Sequence, residues 1–544
     1  MSDSNITITG LLAAQPADTP ALIYAGRTWS HGEIDAAARR TAAALRDRGI
    51  GPGDRVALFL PNCPAYVILW LACARLSAIA VAVNTRYRSV EVGDIVRRTQ
   101  AKALAIWPGF RGIDFADILS RVEPQALEAV RSLIVYGESG EDKATAPALP
   151  QAETLPFEAL LQAPPMAEDL ARPDSACNIF TTSGTTKAPK LVVHRQSVIA
   201  GHGRDVAHAF GYDAVDAVML QAIPLCGVFG LCQYAATLAA GAPTVMMSAF
   251  EAEEAARLIL AHGVTHSVGA DDMADRLLAA VDGSRPFPTL RQFGFARFNA
   301  ALGDIVERAE ARGLTLCGLY GSSEVQALFS LQDPGAPAAQ RKLGGGMPVS
   351  PAARVRARDR DTGAILPHGE AGELEIAGPS LMTGYDGDPE ATKAAFTEDG
   401  YFRSGDLGHT LADGSFVYLS RAGDALRLGG FLVNPAEIEA HLLTHPAVDG
   451  CQVVGVETAK GTAPAAFVTL KPGATADAEA LRAHCKGALA AFKVPVRVFP
   501  VDGFPTTESA NGTKIQRNRL RDMAQAALDR DAPPDRNGAP QAGS

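Results

Sequence analysis

A chain of 544 residues with 47% hydrophobic content exceeds what one compact core accommodates, so two or more domains are predicted. The formal net charge of -10 argues against a nucleic-acid or anionic-membrane partner. Eight scattered cysteines, with no CxxC pair, read as reduced thiols rather than a disulfide framework, which points to the cytoplasm.

In chain order, the opening MSDSNITITG lacks the basic and apolar regions of a secretory leader. VALFL (56–60) reads as a strand, 64–77 as a helix and AIAVAV (78–83) as a strand. Within that helix AYVILWLACA is apolar on all sides and too short to span a bilayer, so it is predicted to be buried. Segment 138–175, rich in Pro and Ala, reads as a surface excursion. Strands follow near 178–180, 190–194, 218–220 and 244–247, with helices at 228–240, 251–262 and 298–312, then the strand LTLCGLY (314–320). This rhythm predicts layered α/β structure with largely parallel sheets. Gly-punctuated short strands from 343 to 421 suggest a small β-rich subdomain. A separate α+β unit follows, and the boundaries are set at 1–422 and 423–530. The tail 531–544 has no apolar anchor and reads as disordered.

Several motifs carry chemistry. FTTSGTTKAPK (180–190) puts Thr182, Ser183, Gly184, Thr185, Thr186, Lys187 and Lys190 between two strands. Backbone N–H groups, hydroxyls and cations held in such a loop suit phosphate oxygens, although it is no Walker A motif and a Ser/Thr-rich surface turn competes equally. LYGSSE (319–324) joins Tyr320, Gly321, Ser322 and Ser323 to Glu324. The aromatic ring can stack on a base and the carboxylate can hold Mg²⁺, or the segment is a helix N-terminus capped by serine. Asp406 in YFRSGDLG suits both hydroxyls of a ribose, or is a turn aspartate. SRAGDALRLGGFLVNPAEIE (420–439) supplies Arg421 for ribose or phosphate, and Glu437 and Glu439 favour by charge a helix opened by Pro435. Lys514, in FPTTESANGTKIQRNRLR, sits in a polar loop before a basic helix, where a cation could act on a phosphate or simply be an exposed surface lysine.

Taken in order, TTSGTTKAPK, YGSSE, SGD, SRAGD…GG…PAEIE and NGTKIQR resemble the successive core motifs of the acyl- and aryl-CoA synthetase, adenylating-domain and luciferase superfamily, over roughly residues 20–525. The resemblance implies a large N-terminal adenylate-forming domain and a small mobile C-terminal one. It implies an AMP-forming acid–CoA ligase using ATP, Mg²⁺ and coenzyme A: the carboxylate becomes acyl-AMP with release of pyrophosphate, and CoA then displaces AMP. The loop from Thr182 to Lys190 would embrace the β- and γ-phosphates, Glu324 would hold Mg²⁺, Tyr320 would stack on adenine, and Asp406 and Arg421 would bind the ribose. Lys514, chosen over Lys493, would bridge the carboxylate and the α-phosphate. Rotation at a hinge, Gly423–Asp424, would bring Leu428, Gly429, Gly430 and Phe431 to a path for the CoA thiol.

Departures from the family pattern are Lys187, Leu191 and Gly423. The resemblance also implies an acyl pocket lined by Gly227, Val228 and Phe229 of IPLCGVFG and by Phe295, Ala296 and Leu319, where Phe295 and Leu319 would narrow a long tunnel. An aromatic or medium-chain acid is favoured, with a long-chain fatty acid, a carrier-protein acceptor and a non-catalytic nucleotide-binding relative as alternatives. Asp271 and Asp272 read as the N-cap and first-turn acid of a helix at 272–281. No GxSxG elbow occurs, and His262 and His266 lack an HExxH context. A homodimer is left open.

Overall fold

The computed structural model describes residues 6–138, 147, 149–182, 189–298, 302–423, 426–428, 431–433, 435–458, 461–509 and 512–531, with backbone only at 427, 431, 432, 508, 509, 512–514 and 531. The chain divides into two compact units, the larger built mainly from the chain up to Tyr418 and the smaller mainly from Leu419 onward.

The larger unit holds two sheets. In the eight-stranded sheet the strands Ala176–Thr181, Ile79–Ala82, Arg55–Phe59, Ala103–Ile106, Ser132–Val135 and Glu153–Pro156 are parallel. Leu191–Arg195 then adds antiparallel to Ala176–Thr181, and the two-residue strand Gly384–Tyr385 forms the edge. Glu153–Pro156 thus draws part of the expected surface excursion into the sheet. The helix Pro64–Arg75 is buried along its whole length, as its all-round apolar surface requires. Its one charge, Arg75, is reconciled with burial by carboxylates of Asp35 at 2.7 Å and Asp169 at 3.5 Å.

The second sheet has thirteen strands. Its parallel part runs through Thr244–Met246, Met219–Gln221, His266–Ala270, Gln292–Ala296 and Leu316–Ser322. From Gln326–Leu331 onward it becomes antiparallel through Gly344–Pro348 and Phe416–Arg421, ending at Arg354–Arg358. The Gly-punctuated strands form the β-rich, antiparallel end of this sheet.

The smaller unit is a three-stranded sheet, Val448–Thr458, Gly461–Leu470 and Arg497–Pro500, with helices Pro435–Leu443, Ala478–Ala488 and Arg517–Asp531. Ile438, Leu442, Val453, Val468, Leu481 and Cys485 form its core. Glu439 does more there than favour a helix start. It is buried, accepts from the backbone N–H of Val453 at 2.9 Å and pairs with Arg517 at 2.8 Å.

Two further readings are corrected. The helix at Asp271–Ala279 is preceded by Ala270 as its N-cap, without a side-chain cap. Asp271 is instead a buried carboxylate whose oxygens accept from the N–H groups of Asp272 at 3.0 Å and Phe298 at 3.1 Å. Lys514 lies on a short strand, Gly512–Ile515, rather than in a loop. The tail from 532 lies outside the described residues. All eight cysteines are buried free thiols, and among the described residues no helix is long and apolar enough to cross a membrane.

Candidate active site

The strands Ala176–Thr181 and Leu191–Arg195 form a hairpin whose neck is tied twice. The N–H of Thr182 donates to the carbonyl of Lys190 at 3.0 Å, and the N–H of Lys190 reaches the hydroxyl of Thr182 at 3.3 Å. Arg98 donates to the carbonyl of Pro189 at 2.7 Å, and Tyr87 meets the hydroxyl of Thr181 at 3.3 Å. Ser183, Gly184, Thr185, Thr186 and Lys187 lie outside the described residues.

A second hairpin joins Leu316–Ser322 to Gln326–Leu331, with Tyr320 opposite Ser330 and Ser322 opposite Gln326. Gly321 is needed there, since a Cβ would stand 2.6 Å from the Cα of Ala327. At the tip the N–H of Glu324 donates to the hydroxyl of Ser322 at 3.3 Å. Two buried histidines hold this hairpin from the adjoining strand and helix. Nε2 of His194 lies 2.7 Å from the carbonyl of Ser323, and Nε2 of His202 lies 2.7 Å from the carbonyl of Ala327. A carbonyl can only accept, so each Nε2 carries the proton. Burial lowers the pKa of each ring to about 4, so both are neutral at pH 7.

Tyr320 closes the third contact. Its hydroxyl donates to Oδ2 of Asp406 at 2.6 Å, and its ring packs against Phe416, Tyr418 and Phe329. Asp406 is itself buried on the strand Phe402–Thr410, following Gly405 at φ +67°, with its N–H on the hydroxyl of Ser404 at 3.0 Å. Tyr320 and Asp406, 86 residues apart, are thus one unit.

Sequence reasoning missed Tyr385. The edge strand pairs Tyr385 with Val192 and Gly384 with Val193, and the N–H groups of Thr383 and Asp386 bond to Val193 and Leu191 at 2.8 Å each. The N–H of Met382 donates to the carbonyl of Glu324 at 2.8 Å. One extended segment therefore fastens the Glu324 hairpin to the exit of the Thr182–Lys190 loop. The Tyr385 hydroxyl stands 3.1 Å from Oε1 of Glu324 and 3.4 Å from Nζ of Lys190, whose ammonium also lies 4.4 Å from the ring centre. Within GYDGDPEAT, the hydroxyl of Thr392 takes the N–H of Tyr385 at 2.9 Å.

The remaining assigned residues divide. Gly227 caps the helix Val228–Ala240, whose first residues Val228 and Phe229 are buried. The preceding loop is held by Asn62, also missed, which bonds Ile223, Leu225 and Met247 at 3.1, 2.6 and 3.0 Å, and by Tyr66 on the carbonyl of Leu225 at 3.1 Å. Phe295 and Leu319 do not share a wall. A Cβ at Gly294 would meet Leu319 and Val268 at 3.2 Å each, and strand alternation puts Phe295 on the opposite face, with Ala296 back on the side of Gly294. Their expected joint narrowing of one tunnel is therefore corrected. Arg421 ends the strand Phe416–Arg421, exposed. The carbonyl of Gly423 accepts from Arg521 at 3.0 Å, while Lys493 is engaged with Glu437. Asp424, Gly429 and Gly430 lie outside the described residues, as do the side chains of Phe431 and Lys514. His262 ends a helix and His266 starts a strand, where its Nδ1 meets the hydroxyl of Thr265 at 2.8 Å.

Backbone bonds through residues 382–386 thus join the Glu324 hairpin to the strand that follows Lys190, and the Tyr320 side chain joins that hairpin to Asp406. The AMP-binding enzyme family matches residues 12–386, and the AMP-binding enzyme C-terminal domain matches residues 437–511. The chain belongs to the AMP-binding enzyme family. It is 31% identical over 538 residues to a sulfoacetate–CoA ligase of Cupriavidus necator, covering 96% of this chain and 98% of that protein. It is 31% identical over 496 residues to a 2-succinylbenzoate–CoA ligase of Geobacillus kaustophilus, covering 91% and 93%. The ATP-bound structure of MatB from Rhodopseudomonas palustris superposes with a TM-score of 0.80 at 25% identity, covering 96% and 100%. As in other members of the family, the adenylate-forming fold of this AMP-binding enzyme consists of a large N-terminal and a small C-terminal domain.

Proposed function

We propose that the protein is an ATP-dependent carboxylic acid–CoA ligase that forms acyl-AMP and then acyl-CoA. The observation that carries this reading is the linkage of Lys190, Tyr385 and Glu324 beside the neck of the hydroxyl-rich loop. A carboxylate attacking the α-phosphate of ATP meets anionic repulsion, so cations and oriented dipoles must stand where charge develops. In this reading Lys190 and the loop from Thr182 face the outer phosphates. Asp406, held by Tyr320, accepts the ribose hydroxyls, and Arg421 contacts the ribose region. Tyr320, already packed edge-on against Phe416, offers its remaining surface to adenine.

The residues fit Mg²⁺. Glu324 is a half-buried carboxylate, and Mg²⁺ favours one or two carboxylates together with phosphate oxygens. Bound there, the ion supplies neutralisation of phosphate charge. Lys514 suits a bridge between the attacking carboxylate and the α-phosphate, as a compact point charge on a long stem. The thioester step follows in this reading once the smaller domain turns at Gly423–Asp424 and brings Gly429, Gly430 and Phe431 to the thiol path. Domain boundaries at 422 and 423 go with that hinge.

The acid remains assigned as aromatic or medium-chain, with the pocket at Gly227, Val228, Phe229, Ala296 and Leu319. Buried free thiols support a reducing, cytoplasmic setting. AMP release over a panel of carboxylic acids, with and without CoA, tests the reading. At least one acid should give AMP in step with a thioester when CoA is present. Adenylation of an acid without any thioester would point to a carrier-protein acceptor instead.

A further inference from the structure

We propose that Tyr385 is a positioning residue for the metal: its hydroxyl fixes the Glu324 carboxylate for Mg²⁺ and ties it to the phosphate-loop Lys190. This rests on the ligase reading and adds a role for a side chain outside the assigned motifs.

Proton counting sets the direction of the contacts. An ammonium only donates and an ionised carboxylate only accepts. The hydroxyl of Tyr385 therefore accepts from Nζ of Lys190 at 3.4 Å and gives its own proton to Oε1 of Glu324 at 3.1 Å. The tyrosine takes Oε1 of Glu324, which leaves Oε2 to face a cation.

The tyrosine is suited to hold rather than to follow. It is 7% exposed, and its ring packs in the cluster that contains Val192, Tyr320 and Phe416. Its backbone is fixed by the pairing with Val192, by Thr392 on its N–H and by neighbouring bonds to Leu191 and Val193. A Cβ at Gly384 would stand 2.7 Å from Thr392, so the segment has no slack on that side. A carboxylate held in one rotamer spares the ordering cost when the metal arrives.

Tyr385→Phe removes the hydroxyl and keeps the ring, its packing and its face toward Lys190. Mn²⁺ binding to the full chain with α,β-methylene-ATP, read by electron paramagnetic resonance, should weaken about tenfold, the scale of one charge-assisted hydrogen bond. The Mg²⁺ concentration for half-maximal acid-dependent ATP–pyrophosphate exchange should rise by the same factor. Saturating Mg²⁺ should bring the rate back to within about threefold of wild type. Lys190→Met gives a second measure: its effect on Mn²⁺ affinity should be smaller in the Tyr385→Phe background than in wild type.

Unchanged Mn²⁺ affinity in Tyr385→Phe, or a loss of exchange that Mg²⁺ does not restore, overturns the proposal. If the Phe variant does not fold, additive effects of Lys190→Met and Thr392→Val on Mn²⁺ affinity overturn it, and coupled effects sustain it. A wild-type chain that binds no MgATP would overturn the ligase reading itself, a result distinct from all of these.

Discussion

Tyr320 and Asp406 share a 2.6 Å hydrogen bond in the interior of the larger unit, both less than a tenth exposed. The bond clamps the hairpin bearing Glu324 to the strand Phe402–Thr410. Tyr320→Phe leaves a buried carboxylate without that donor. We predict a loss of about 1–3 kcal/mol in unfolding free energy and a several-fold rise in KM for ATP, read by urea titration and pyrophosphate exchange.

His194 and His202 give the site a pH dependence. Their folded pKa values of about 4 lie below the ordinary 6.5, so the unfolded chain takes up protons that the folded chain excludes. Their contribution to stability is complete above about pH 6.5 and is lost as pH falls towards about 4. Urea unfolding at pH 7.5, 5.5 and 4.5 should show this decline, and the His194→Gln/His202→Gln double variant should show a flatter one.

Asn62 tests the support of the acyl-pocket loop. Its amide serves three backbone groups, of Ile223, Leu225 and Met247, in a site 1% exposed. Asn62→Ala strands all three and should cost about 2–4 kcal/mol. Because the loop leads into Gly227, KM for the acid should rise more than KM for ATP. Equal shifts in both would count against that location of the pocket.

The legible part of the protein was its local chemistry. Short apolar runs marked some of the parallel strands to within a residue or two, as at Met219–Gln221 and Thr244–Met246, because buried parallel strands are continuously apolar, while Ala103–Ile106, Ser132–Val135 and Gln292–Ala296 went unmarked. The helix Val228–Ala240 was legible from end to end. What escaped depends on pairing at long range. Nothing in GYDGDP says that Tyr385 will join an edge strand beside Val192 and meet Lys190, 195 residues away in sequence. Asn62 likewise acts through backbone groups more than 160 positions distant, Leu225 among them. Phe295 and Leu319 both read as narrowing one tunnel because each stands where relatives commonly carry glycine. Their faces are set by strand parity and register, which only the pairing of Phe295 with Gly318 fixes.

The most direct test of the two-step account separates its halves at Lys514. Lys514→Ala should abolish acid-dependent ATP–pyrophosphate exchange while leaving CoA thioester formation from preformed acyl-AMP within about threefold of wild type. Equal loss of both half-reactions, or exchange that persists without the lysine, would contradict it.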